Sequence, residues 1–245
     1  MIESEVDYIP IDCPDCGTST FGDSKSCTCG RPLPLAFIIP YEAKWRFEPE
    51  MNAILAEHTG LRLMGRYYGK SPEDIMQFNH VEYLALSRYR GFSFDFLGDF
   101  SKLTILELDF TRIQSLDGVE QVTSLESLHL TECRTLESID ALSQCSYLRA
   151  LRISLCNKLH CLDAIQHCAS LRFFGYEGNF IESIDFVRNL RELKVLVLNT
   201  KVKSRDLEPL LRLRPRKLLL KKSSFPAASI RRLESEMSDC EIRLI

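Results

Sequence analysis

A short apolar pattern recurs along this chain with a nearly fixed period, and that recurrence limits the available folds more than any other feature. Leu103-x-x-Leu106-x-Leu108 returns as Leu125-x-x-Leu128-x-Leu130, Leu148-x-x-Leu151-x-Ile153, Leu171-x-x-Phe174-x-Tyr176 and Leu193-x-x-Leu196-x-Leu198. Val81-x-x-Leu84-x-Leu86 precedes this series and Pro215-x-x-Leu218-x-Leu220 follows it. Across the seven copies the middle apolar position advances by 22, 22, 23, 23, 22 and 22 residues. One alternating strand of this kind cannot bury its own apolar side. Stacked on its neighbours, it makes a parallel ladder and a continuous core, so the expected fold is an elongated repeat array.

The unit resembles the leucine-rich-repeat family, whose pattern is L-x-x-L-x-L-x-x-N/C-x-L. Its ninth position holds Thr111, Cys133, Cys156 and Asn179 here, and the next apolar position Ile113, Leu136, Leu159 and Ile181. The second half of the unit is regular too, as Ser-Leu116-Asp117-Gly-Val119, Ser-Ile139-Asp140-Ala-Leu142, Cys161-Leu162-Asp163-Ala-Ile165 and Ser-Ile184-Asp185-Phe-Val187. These compact units look most like the bacterial internalin-type subclass. The resemblance implies an α/β repeat solenoid: a curved array with a parallel concave sheet, short convex helices or turns, and a cap at each end. The recurring Asp is expected to cap each convex segment through its side-chain oxygen. A metal ladder is the weaker reading, since carboxylates one repeat apart seldom converge on one ion.

The register extends outward on both sides. Leu61-Arg-Leu63 lies 23 residues before Leu84-x-Leu86, and Ile242-Arg-Leu244 lies 24 after Leu218-x-Leu220. Residues 47–58 and 227–237 read as amphipathic helices covering the two ends of the core. The expected organisation is a four-cysteine module at 1–34, a cap with a degenerate first repeat at 35–80, repeats at 81–220, and a C-terminal helix and strand at 221–245.

Of ten cysteines, four form a set at the N-terminus: Cys13-Pro-Asp-Cys16-Gly and Cys27-Thr-Cys29-Gly. Cys-Pro-x-Cys-Gly resembles a zinc-ribbon knuckle, and four thiolates suit tetrahedral Zn2+ in a structural role with no open coordination site. Two local disulfides, or free thiols, are the alternatives. The second pair has one intervening residue where the ribbon has two, so the standard ribbon shape is less secure than metal binding. Cys145 and Cys168 fall at apolar convex positions and read as core.

In a fold of this kind, strand residues between the leucines face the concave side. One column reads Ala85, Glu107, His129, Arg152, Gly175, and the next Ser87, Asp109, Thr131, Ser154, Glu177. The flanking columns add Tyr83 and Phe173, then Arg88, Phe110, Glu132 and Leu155. Exposed aromatics beside a charged row are the composition of a protein interface. The expected partner-binding set is therefore Tyr83, Glu107, Asp109, Phe110, His129, Glu132, Arg152, Phe173 and Glu177. No nucleophile, phosphate loop or open metal site accompanies Glu107 and His129, so a non-catalytic role without a small-molecule substrate is expected.

Residues 191–232 are basic, which offers nucleic acid as an alternative partner, but no aromatics interleave with the cations for base stacking. A net charge of −3 supplies no global attraction to polyanions. Nothing in the chain is long and apolar enough to span a bilayer, and the acidic N-terminus has no signal-peptide core, so a cytoplasmic protein is expected. Small solenoids of this kind serve as adaptors or inhibitors. A bacterial immunity protein is the sharpest version of that reading, and rests on analogy of fold.

Overall fold

The computed structural model of the protein describes residues 79–213 and 215–245 and Met76 in full, and the backbone of the strands at 7–8, 11–12, 19–20, 35–40 and 61–67. The predicted repeats are there as strands: β6 (Tyr83–Ser87), β7 (Ile105–Asp109), β8 (Ser127–Thr131), β9 (Ala150–Ser154), β10 (Phe173–Ile181), β11 (Val195–Val202) and β12 (Lys217–Leu220). They pair in parallel and in sequence order, so that Leu84, Leu106, Leu128, Leu151, Phe174, Leu196 and Leu218 stand side by side. All seven are fully buried in one continuous core.

The backbone repeats as closely as the side chains do. One carbonyl per repeat accepts two N–H groups from the next, as Glu82 O does from Thr104 and Ile105, and Glu126 O from Arg149 and Ala150. This pins each strand's start to its neighbour and leaves no donor unsatisfied there.

At the C-terminal end the extrapolated register holds. β13 (Glu241–Leu244) pairs Ile242 with Leu218 and Leu244 with Leu220. The expected helix runs Ala227–Glu236 and sends Ile230 and Leu233 into the core, with Met237 following. At the N-terminal end the register differs. β5 (Leu61–Tyr67) sets Gly65, not Leu61, opposite Leu84. Beyond it the sheet turns antiparallel, with β4 (Leu35–Pro40) on β5 and β1 (Asp7–Tyr8) on β4. β2 (Ile11–Asp12) and β3 (Ser19–Thr20) form a separate hairpin. The periodic leucines misled because a strand offered an antiparallel partner is no longer held to the repeat spacing.

The convex segments are single 3-10 turns, among them Asp95–Asp99, Asp140–Gln144, Asp163–His167 and Asp185–Asn189. In these four the Asp opens the turn without capping it, whereas Asp117 precedes the turn Val119–Gln121. At Asp140 and Asp185 the backbone N–H donates instead to the hydroxyl two residues earlier, Ser138 Oγ at 3.1 Å and Ser183 Oγ at 3.3 Å. In these two turns the aspartate is already inside the turn and the Ser two residues earlier takes the N–H, whereas Ser93 and Ser115 donate to the carboxylates of Asp95 and Asp117. Cys145 and Cys168 lie buried behind these turns as expected, and burial pushes their thiols up to about 11 and about 12.

Cys13, Cys16, Cys27 and Cys29, and the helix expected over 47–58, lie outside the described residues.

Candidate functional site

The strand face opposite the leucine core is where the sequence places its partner-binding residues. In that column Glu107 aligns with His129 and His129 with Arg152. The alignment is as read from the sequence, but the exposure is not. Tyr83 is 2% exposed, Phe173 0%, Glu107 6% and His129 3%. These four do not form an accessible surface.

The correction has a physical cause visible in the strands themselves. Along β6, β7, β8 and β10 the first four residues are all buried, whichever face they point to. Ile105, Ala150, Phe173 and Val195 are apolar on the second face as well, which gives runs such as Val195-Leu196-Val197-Leu198. A parallel strand covered on both sides reads as such a continuous run, not as an alternation.

Most buried polar groups on this face are satisfied, Ser154 Oγ being an exception. The Tyr83 hydroxyl donates to the Glu107 carboxylate. Ser127 Oγ lies 3.0 Å from His129 Nε2. Burial lowers the His129 pKa to about 4, against the pull of Glu107 and with help from Arg152. The imidazole is therefore neutral at pH 7, and His129 drops out of the expected row of charges. Arg152 lies 3.9 Å from Glu177, which in turn accepts from Asn199 Nδ2 at 3.2 Å. This network fixes side chains in the sheet.

Exposure rises toward the C-terminal end of each strand. Asp109, Thr131 and Glu177 are half-buried, and one residue further on the chain emerges. Phe110 is 51% exposed and Leu155 42%. Arg88 is exposed beside them, and Glu132, tied to Arg134 at 2.5 Å, continues the row. The accessible part of the predicted set is thus the rim: Phe110 and Glu132, with Asp109, Arg152 and Glu177 behind.

The rim shares one backbone signature. Arg88, Phe110, Glu132 and Leu155 have φ of 62°, 54°, 52° and 57°. None is glycine, yet all four hold the left-handed conformation, which disfavours a Cβ. The chain turns there so that the N–H after each strand reaches across the ladder, as Phe110 N does to Thr131 O at 2.9 Å and Leu155 N to Glu177 O at 2.8 Å. The same bend throws the side chain outward.

Behind the rim the ninth-position residues close the core. Thr111 Oγ1 donates to Cys133 Sγ at 3.0 Å, and Cys133 Sγ donates to Leu108 O at 3.3 Å. The hydrogen bond that the Cys156 thiol donates to Cys133, together with burial, holds Cys156 protonated. These thiols are structural.

Sequence reading missed Arg90 and Arg112. They lie just past the strand ends, outside the columns that the repeat register defines. With Arg88 they surround Phe110 around a cleft of about 260 Å3.

No family model matches the chain, and no curated protein matches it in sequence. Among solved structures it is similar to internalin C2 of Listeria monocytogenes, at 18% identity and a TM-score of 0.59 over 74% of this chain and 80% of that one. A second internalin of Listeria monocytogenes gives 16% and 0.39 over 73% and 72%. The likeness to internalin C2 carries the fold alone: this chain is a repeat solenoid with a parallel sheet. No helix among the described residues is long and apolar enough to cross a membrane.

Proposed function

We propose that the protein is a non-catalytic protein–protein interaction module, an adaptor or inhibitor, which holds a partner along the rim formed by Arg88, Phe110, Glu132 and Leu155. The observation that carries this reading is the repeated left-handed backbone at four non-glycine residues. Glycine fits that conformation without steric cost, and a large side chain there costs roughly 1 kcal/mol or more. A strained residue displayed outward in successive repeats is the arrangement expected of a recognition surface. Aromatic and aliphatic anchors beside charged neighbours have the make-up of an interface.

Two further observations agree. The clefts beside Phe110 and His160 hold about 260 and 160 Å3, below the roughly 300–1,000 Å3 usual for small-molecule sites. In the basic 191–232 stretch, Lys203, Lys217 and Arg232 are engaged by Glu182, Glu241, Glu208 and Glu236. This leaves less cationic surface for nucleic acid than the sequence offers.

The test separates display from folding. Replacing Phe110 and Leu155 by glycine removes both anchors while relieving backbone strain. The double variant is expected to melt at or above the wild-type temperature and to lose its partner on affinity capture from nuclease-treated extract. Retention of the same partner at the same stoichiometry would refute the rim as the binding surface. Glu107 and Phe173 are unsuitable for this purpose, because their burial makes any change there a change in folding.

An intracellular setting suits Cys133, Cys145, Cys156 and Cys168, all buried and unpaired. A role as an immunity protein is the sharpest form of the inhibitor reading. A structural Zn2+ held by Cys13, Cys16, Cys27 and Cys29 belongs to the same proposal. Elemental analysis of the purified protein should return one zinc per chain, and Cys13→Ser with Cys16→Ser should abolish it. A metal-free wild type rules the site out.

A further inference from the structure

Arg88, Arg90 and Arg112 are all exposed. Among the described residues no carboxylate lies within ion-pairing distance of any of them. Several other surface acids and bases are paired across or within repeats, as Lys158 with Glu137 and Lys203 with Glu182, each at 2.7 Å. Three adjacent guanidinium groups without a carboxylate partner among the described residues repel one another, and that repulsion is relieved when an anion is bound.

The cluster is held by well-packed backbone. Arg88 N donates to Asp109 O at 2.8 Å, and Arg112 N to Tyr89 O at 3.2 Å. Tyr89, between Arg88 and Arg90, is buried, with its ring 5.5 Å from Phe94 and 5.7 Å from Phe96. Its hydroxyl donates to Ser93 O at 3.1 Å. Gly91 permits this packing, because a Cβ there would lie 1.8 Å from the Tyr89 hydroxyl oxygen. The three arginines thus project from a fixed base around a cleft of about 260 Å3, with the half-exposed Phe110 ring as one wall.

We infer that this cleft binds a short acidic segment of the partner protein, whose carboxylates engage Arg88, Arg90 and Arg112 while an apolar side chain packs on Phe110. Guanidinium groups take carboxylates in bidentate pairs, with a geometry that lysine does not reproduce. The ring supplies the apolar contact that such a segment needs for affinity beyond charge. Charge along the rim favours a polypeptide over a nucleic-acid strand. Asp109 lies beside the cleft, and Glu132 and Glu177 follow in the next repeats, so a continuous phosphate backbone would meet carboxylates on leaving it. A short acidic stretch within an otherwise mixed protein surface fits both signs. The inference deepens the rim reading and rests on it.

Fluorescence anisotropy with a labelled glutamate-rich peptide carrying one central tryptophan tests it. Full-length protein is compared with the Arg88→Ala, Arg90→Ala, Arg112→Ala variant, whose exposed substitutions leave the melting temperature unchanged. Binding of the peptide at low salt, weakened about tenfold or more in the variant and weakened also by Arg→Lys at all three positions, is the expected result. Wild type that does not bind the peptide, or a variant that binds it as well, overturns the inference. So does a single-stranded oligonucleotide binding as tightly as the peptide, which would make the cleft a nucleic-acid site. Phe110→Gly, Leu155→Gly protein, measured in parallel on the captured partner, keeps the two proposals apart. Partner loss there with no peptide binding leaves the rim standing and removes only the acidic segment.

Discussion

Phe174→Ala is expected to destabilise the protein by about 3–5 kcal/mol, the range for deleting a fully buried phenyl ring. Phe174 is the middle apolar residue of β10, with no exposed area. Its ring meets Phe186 of the convex turn edge-on, with centroids 5.5 Å apart. It therefore joins the two halves of its own repeat as well as neighbouring repeats. In a solenoid each unit is stabilised by the two it touches, so a cavity here weakens both interfaces at once. Chemical denaturation should show a lower midpoint for Phe174→Ala, and a loss well under half as large for Phe174→Leu, which keeps most of the volume. Equal losses for the two variants would mean that shape, not filled volume, decides stability at this position.

A second large effect concerns acid. His129 has a folded-state pKa of about 4 against an ordinary 6.5, chiefly through burial. The unfolded chain thus binds its proton more readily than the folded one. The stabilisation is complete above pH 6.5 and is lost as pH falls from 6.5 toward 4, by on the order of 3 kcal/mol. Carboxylates titrate mostly below this window, so the slope between pH 6.5 and 4.5 reports chiefly on His129. His129→Gln should flatten that slope while retaining a polar group near Ser127. A variant as acid-sensitive as wild type across that window would show that the histidine is not what fails.

The solenoid was legible in the sequence because its cause is local and repeated. Leu84 through Leu218 recur at a period that only stacking explains, and the ladder follows. Burial of the second face was written there too, in Ile105, Ala150, Phe173 and Val195, but a reading built on alternation passes over apolar residues at the alternate positions. The register of β5 was lost because Leu61 and Leu63 satisfy the repeat spacing by coincidence, while pairing with β4 decides where the strand sits. The sequence makes the Asp of each convex segment the expected cap, and only the start of the turn shows that at Asp140 and Asp185 the N–H goes to the hydroxyl two residues earlier. Arg112 escaped notice because its relation to Arg88 crosses from one repeat's edge to the next repeat's loop. No column of the repeat contains both.

The burial gradient along the strands divides labour between neighbouring residues. Ile105 and Glu107 are locked in place, whereas Phe110, three positions beyond Glu107, stands largely in water. Changes at positions 88, 110, 132 and 155 therefore leave the core and the ladder untouched, and each sits on a separate repeat. A library randomised at those four positions alone should retain the fold in most of its members while altering what is bound. The scaffold and the specificity of this chain can be varied separately.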